Sequence, residues 1–308
     1  MKSMIRVTIP VVFYINMIAI RIRAFQVNPL TKPKNTPRPM WAEVPSIVIS
    51  PPFQVYIEDT DAYGVMYNAN YLRAYERALQ QTNGIVKAND WAVIRVEKHK
   101  FKSSPCLGGR YEVVCELKDK NDDVEQWNLI MRDVQCTSIV YNSALVTIGS
   151  MERHMPPCFP SHDGLSIENT FTPFRDEFEG CIIPIRNQLN FFERARSNFL
   201  GGPATLRKLH EDGLVFVVTS IDQGSLIDAP PYRHSHPKSV DVLVETKFVT
   251  KRKGMILECQ HTLFSVDKAN GERRRIGQAI VTIMTLNATT RRPTSDLPKW
   301  LQDMMALE

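Results

Sequence analysis

Two carboxylates, a glycine and a cluster of aromatic and amide side chains stand together just ahead of an amphipathic segment, in the run Val55-Tyr56-Ile57-Glu58-Asp59-Thr60-Asp61-Ala62-Tyr63-Gly64-Val65-Met66-Tyr67-Asn68-Ala69-Asn70-Tyr71-Leu72. Residue types at this spacing suit acyl transfer. The helix that follows is expected to start near Asn68, and its first-turn N–H groups lie at the positive end of the helix dipole, where they can polarise a carbonyl oxygen. A carboxylate a few residues upstream is then placed to act on the carbonyl carbon, as a nucleophile or as general base on water. Asp61 is the candidate for that role. Asp59 is the better candidate for forming the turn, the ordinary job of an acid before a helix. Gly64 allows close backbone approach in the loop.

The same segment resembles the 4-hydroxybenzoyl-CoA thioesterase branch of the hot-dog superfamily, which carries an Asp-x-Asp-x-x-Gly pattern followed, after six intervening residues, by Tyr. Here those positions are Asp59, Asp61, Gly64 and Tyr71. The resemblance implies an acyl-CoA thioesterase with Asp61 as the catalytic carboxylate and Gly64, Tyr67 and Asn68 as oxyanion or substrate contacts. It further implies no cofactor beyond the CoA or carrier that forms part of the substrate. Asn68 departs from the pattern, because many members carry His there. An amide donates a hydrogen bond but does not titrate, so an acid role at that position is lost while its backbone N–H remains. Tyr63, Val65 and Met66 could line the acyl pocket, although a core role is the more frequent fate of such residues. Glu76, on the helix, is a possible secondary carboxylate, since some other hot-dog thioesterases use one. Its competing role is an i, i+3 pair with Arg73.

The elements that must position these residues recur along the chain. A strand at 53–58 and a helix at 69–82 are followed by strand-like runs at 91–102, 110–118, 126–136 and 139–149, rich in Val, Ile, Tyr and Thr. Leu72, Tyr75, Ala78 and Leu79 give the helix an apolar stripe. After a Pro-containing stretch at 150–170 the order returns, with a helix at 187–210, breakable at Gly201-Gly202-Pro203, and strands at 214–222, 240–251, 254–266 and 274–286. Asn70 to Ala78 aligns with Asn187 to Ala195 at a spacing of 117, with identity at five of nine positions. An internal duplication follows.

The expected fold is α+β: two tandem hot-dog domains, each a curved antiparallel sheet wrapped round one central helix. The expected boundaries are a targeting segment and Pro-rich linker at 1–52, the motif-bearing domain at 53–150, a linker at 151–170, a degenerate domain at 171–290 and a tail at 291–308. Pairing of the two sheets edge to edge would cover exposed strand edges, and further self-association of the chain is possible. At the 117 spacing Phe178 falls opposite Asp61 and Cys181 opposite Gly64. The second domain is therefore expected to complete the site rather than to repeat it, with Asp176 and Glu179 displaced. Arg233, His234, His236 and Lys238 cluster in a Pro-flanked loop where CoA phosphates could lie, or form a solvated polar loop.

Composition excludes other classes. The net charge is +5, but seven of the 38 Lys and Arg fall in residues 1–42, which hold no acid. The remaining 31 face 33 acidic residues, too balanced for a phosphate-tracking surface. That basic front, with a broken apolar run from Val7 to Ile20, suits an organellar targeting segment for a plastid or mitochondrion, with a secretory-type signal as one route, and is too short for a comfortable membrane span. A basic tail without an address is the plain alternative. Six scattered cysteines without metal-type spacing argue against structural zinc or a disulfide framework. Two functions outside hydrolysis share the expected fold: a non-catalytic acyl-thioester-binding or assembly protein, and a hydratase or dehydratase. The latter would need a His beside the acid, which Asn68 removes.

Overall fold

The computed structural model describes residues 46–61, 64–83, 91–121, 124–150, 159, 165–179, 182–227 and 240–304. The chain divides into two units, Met1–Glu43 and Val44–Glu308. The first unit, and with it the expected targeting segment, lies outside the described residues.

Eleven strands form a single antiparallel sheet. In the first half these are β1 (Ile47–Ile49), β2 (Phe53–Gln54), β3 (Trp91–Phe101), β4 (Arg110–Lys120), β5 (Val124–Asp133) and β6 (Val140–Ser150), with helix α1 (Asn68–Asn83) between β2 and β3. The second half holds β7 (Leu165–Phe171), helices α2 (Ile185–Phe199) and α3 (Gly202–Glu211), β8 (Leu214–Leu226), β9 (Val240–Lys251), β10 (Ile256–Asp267) and β11 (Arg273–Asn287). A last helix, α4, spans Lys299–Met304. The strand order is β1-β4-β5-β6-β3-β8-β11-β10-β9-β7, with β2 also on β4. It reads the same from both ends once β3 is matched to β8, β6 to β11, β5 to β10, β4 to β9 and β1 to β7.

The seam between the halves is the antiparallel pair β3–β8, in register at Arg95 with Ser225, Val96 with Gly224, His99 with Ile221 and Lys100 with Ser220. Gly224 permits this close approach, since a Cβ there would lie 3.3 Å from that of Val96. Lys98 turns through a positive φ of 51°, and its amide donates to the Asp222 carboxylate at 3.2 Å.

Alternation of buried and exposed residues along β4 and β5 turns Tyr111, Val113, Cys115, Trp127, Leu129 and Met131 onto one face. Helix α1 lays Leu72, Tyr75, Ala78 and Leu79 against the core, and α2 contributes Leu189, Phe191, Phe192 and Ala195. The two helices thus share one apolar core with both halves of the sheet.

Several boundaries differ from expectation. Folded structure starts before Phe53: β1 pairs with β4 at Val48 with Cys115, and the buried Ser50 hydroxyl accepts from the Val113 amide at 3.0 Å. The expected strand at 53–58 stops at Gln54 and gives way to a 3-10 turn at Ile57–Asp59. The end of the expected linker is the edge strand β7, paired with β9. The second helix breaks at Gly201, whose φ of +87° ends α2 and allows α3 to start at Gly202.

Candidate functional site

The turn that carries Asp61 is fixed by backbone bonds. Asp59, buried, accepts from the Tyr56 amide at 3.0 Å, and its carbonyl accepts from the Tyr67 amide at 2.9 Å and from the Asn70 side chain at 3.1 Å. Asp59 is the structural acid, as its place in the sequence suggests. The Asp61 amide donates to the Val65 carbonyl at 2.9 Å, the Gly64 amide donates to the Asp61 carbonyl at 3.0 Å, and the Val65 amide approaches Asp61 Oδ1 at 3.4 Å. Gly64 sits at φ +70°, a conformation that a side chain would strain. The chain then enters α1 at Asn68.

Asp61, Val65, Met66, Tyr67, Asn68 and Tyr71 line one side of a cavity of about 530 Å³. The opposite wall comes from the second half: Glu193, Arg196 and Leu200 on α2, Leu206 on α3, Leu214 to Val218 on β8 and Ile283 on β11. The cavity thus combines a carboxylate beside the first turn of a helix with a largely apolar stretch of wall from Leu206, Leu214 to Val218 and Ile283, which includes the Phe216 ring, and Arg291 also lines it. Its size falls within the usual range for small-molecule pockets. Of the expected site residues, Asp61, Tyr67 and Asn68 meet here, with Gly64 in the turn behind them. Val65 and Met66 line the cavity, and Tyr63 lies outside the described residues.

The cavity is backed by a buried network from the second half. Arg196, 4% exposed, bonds the Glu193 carboxylate through Nη2 and approaches His261 Nε2 at 3.0 Å through Nη1. His261 Nδ1 lies 2.9 Å from the Thr246 hydroxyl. Burial depresses the His261 pKa well below its ordinary value, aided by the Arg196 charge, so the ring is neutral. Burial works against the Arg196 charge, but Glu193, through its charge and its hydrogen bond, together with Cys259 and Tyr67 outweighs it and leaves the guanidinium pKa raised. Burial raises the Tyr67 phenol, with Glu193 adding to the effect, and Tyr67 stays a protonated donor. The Tyr71 phenol is pushed up to about 12 by burial, opposed by its hydrogen bond to Ser104 at 3.0 Å.

Glu193 and Arg196 are site residues that the motif does not contain. The repeat itself signals Glu193, the counterpart of Glu76 at the 117 spacing, but not Arg196, whose counterpart is Leu79. Glu76 lies elsewhere. Its Oε2 accepts from Arg186 Nη1 of α2 at 2.5 Å, so its ion-pair partner is Arg186 rather than Arg73. Burial raises the Glu76 pKa, and Arg186 opposes this.

The second half also keeps an acid that the constant spacing hides. Glu177 accepts from the Phe174 amide at 2.7 Å, and its carbonyl accepts from the Asn187 side chain at 2.9 Å, reproducing the bonds of Asp59 with Tyr56 and Asn70. Ahead of the helix the correspondence is therefore one residue longer, and Glu179, not Phe178, is the counterpart of Asp61. Its amide donates to the Ile182 carbonyl at 2.8 Å, as that of Asp61 does to Val65. The loop between this turn and α2 is one residue shorter than its partner before α1. Gly180 and Cys181 lie outside the described residues, as do Arg233, His234, His236 and Lys238.

Among the described residues no group of three or more His, Cys, Asp or Glu could hold a metal ion. None of the described helices is long and apolar enough to cross a membrane.

No family model matches the chain, and no curated protein does. Solved structures do. A protein described as an oleoyl thioesterase from Lactobacillus plantarum is 9% identical, with a TM-score of 0.55 over 78% of this chain and 97% of that one. An acyl-ACP thioesterase from Bacteroides thetaiotaomicron is 9% identical, with a TM-score of 0.54 over 77% and 98%. A 12:0-ACP thioesterase from Umbellularia californica is 11% identical, with a TM-score of 0.52 over 78% and 94%. At such identity the likeness is one of fold. The fold is the α+β double hot-dog, with both repeats in one chain.

Proposed function

We propose that this chain is an acyl-thioester hydrolase that splits an acyl-CoA or an acyl carrier thioester into free acid and thiol. The observation that carries the proposal is the placement of Asp61 beside the first turn of α1, in a cavity whose wall from α3, β8 and β11 is largely apolar. The acyl chain would lie along Leu206, Leu214 and Val218, with the thioester carbonyl toward the Asn68 end of α1 and Tyr67 as a further donor. In the general-base route Asp61 takes a proton from water, the water oxygen bonds to the carbonyl carbon, the C–S bond breaks and the thiol leaves with a proton. In the nucleophilic route the carboxylate itself bonds to that carbon, the C–S bond breaks and the thiolate leaves and takes up a proton from water; a second water then splits the mixed anhydride into free acid and the Asp61 carboxylate. Neither route needs a cofactor other than the thiol carrier in the substrate.

The three solved structures named above are described as thioesterases, which supports the class of reaction without fixing the substrate. The proposal extends to two units, expected at 53–150 and 171–290 and widened to take in β1 and β7, to a role in lipid metabolism, and to a plastid or mitochondrial address carried by the basic residues 1–42. CoA phosphate contacts from Arg233, His234, His236 and Lys238 belong to the same proposal, as does further self-association.

The test is free-thiol release from short, long and aromatic acyl-CoAs and from acyl carrier protein thioesters. Turnover of at least one of them is expected, and a folded protein inert toward every one would overturn the proposal.

A further inference from the structure

A second cavity, of about 480 Å³, is lined by Glu76, Leu79, Val93, Ile148, Glu179 and Arg186, with the further charges of Arg73, Arg77 and Asp176 on its wall. Several of its parts have counterparts in the Asp61 cavity with the halves exchanged. Glu179 takes the place of Asp61, and Glu76 of α1 takes the place of Glu193 of α2. The wall repeats too: Val93 pairs with Ile148 across β3 and β6, as Val218 pairs with Ile283 across β8 and β11. The second cavity thus holds an acid ahead of a helix start, a carboxylate from the opposite helix and an aliphatic wall.

The two differ at Leu79, which stands where the other cavity has Arg196, in the loop one residue shorter ahead of α2, and at the second position of the helix. At the second position of the helix the first half has Ala69, and the second half has Arg186, the matching position at the 117 spacing. Arg186 donates through Nη1 to Glu76 at 2.5 Å and through Nη2 to Glu179, so a single guanidinium ties up both acids. A carboxylate held in such a pair has its lone pairs engaged and is a poorer proton acceptor. The cation also lines the cavity beside the helix start.

We propose that the chain carries a second, latent acyl-thioester site built on Glu179, silenced by Arg186. The inference rests on the thioesterase assignment. With Arg186 removed, Glu179 would accept the proton of a water whose oxygen bonds to the thioester carbon, and the thiol would leave protonated.

The experiment compares thiol release by the full chain, Asp61→Asn and Asp61→Asn/Arg186→Ala. The expected result is loss of activity in the single variant and recovery of about tenfold or more over it in the double variant, a small fraction of what a positioned base supplies. Adding Glu179→Gln should abolish the recovery. If the double variant does not fold, Arg186→Ala/Glu76→Gln on the Asp61→Asn background opens the cavity without leaving a bare buried acid, and the same recovery is expected. An active parent with a folded but inert opened variant overturns the latent site and leaves the main function standing. A parent inert toward all thioesters removes the thioesterase assignment and the latent site with it. Activity in Asp61→Asn that Glu179→Gln abolishes would mean that the second site already works, which also overturns silencing by Arg186.

Discussion

Asp61 and Glu193 bring two carboxylates into one cavity from opposite halves of the chain, and their environments separate their roles. Glu193 is committed to Arg196, while the Asp61 side chain lies in the turn at the helix start. Replacing Glu193 by Ala leaves the buried Arg196 charge without its partner. Breaking a fully buried pair costs about 3–5 kcal/mol. Because Glu193 is 35% exposed, we expect about 1–3 kcal/mol here, measurable by denaturant unfolding. The kcat of thiol release should fall less in this variant than in Asp61→Asn; an equal or larger fall would make Glu193 the reacting acid. Asp61 was legible in the sequence because the turn, the glycine and the helix start are contiguous. Arg196 was not, since nothing local marks an arginine on an amphipathic helix as buried. Glu179 was hidden by a one-residue difference in loop length, which a fixed repeat spacing misreads.

Helices and strands were legible wherever a long apolar period governed them. Helix α1 and the long strands β3 to β6 and β8 to β11 lie close to their expected ranges, because burial of one face fixes the period. The misses were short pieces stabilised by partners distant in sequence. Strand β1 is three residues with Ile47 and Ile49 exposed, and only its pairing with β4 makes it a strand. The break between α2 and α3 was signalled by its glycines. An added Cβ at Gly201 would meet Thr205 Oγ1 at 2.6 Å, and its φ is positive. Gly201→Ala should therefore destabilise by roughly 1–2 kcal/mol from the left-handed backbone alone. It should also disturb the Leu200 and Leu206 wall, lowering the melting temperature and altering acyl preference together; an unchanged melting temperature would count against this joint.

The strands also carry two buried histidines, His99 on β3 and His261 on β10. His99 is fully buried, with Nε2 2.9 Å from Asn142 Oδ1, and burial lowers its pKa to about 3 against the opposing hydrogen bond. The unfolded chain takes up a proton near pH 6.5 that folded His99 refuses until about pH 3. The stability contributed by neutral His99 is thus complete above pH 6.5 and lost progressively as pH falls through that window, at up to about 1.4 kcal/mol per pH unit. The melting temperature should decline between pH 7 and pH 4, and His99→Gln should flatten the decline; an equal slope in the variant would contradict this origin.

At the scale of the whole molecule, the two halves form one sheet and exchange walls. The Asp61 turn supplies one carboxylate of its cavity, and β8, α3 and β11 supply the largely apolar wall. Specificity should therefore be adjustable from the second half without touching the first. Val218→Trp is expected to shift the ratio of kcat/KM between long and short acyl chains by about tenfold or more toward short ones, in line with the worth of one or two methylenes in an apolar pocket. A ratio that does not move would show that the chain lies elsewhere. The duplication was legible from a nine-residue echo, but the order of strands and the β3–β8 seam were not. Pairing partners across a sheet depend on edges meeting in space, and sequence periodicity does not say which edges meet.

The most direct test of the central claim, that Asp61 performs thioester hydrolysis, is single-turnover thiol release by the full chain beside Asp61→Asn on the best acyl thioester from the panel. Thermal melting of both proteins serves as the control. The account predicts a loss of about a hundredfold or more in the chemical step, as expected for a lost base or nucleophile, with melting little changed. A folded Asp61→Asn protein that releases thiol at the parent rate would contradict it and leave Asp61 as a turn residue.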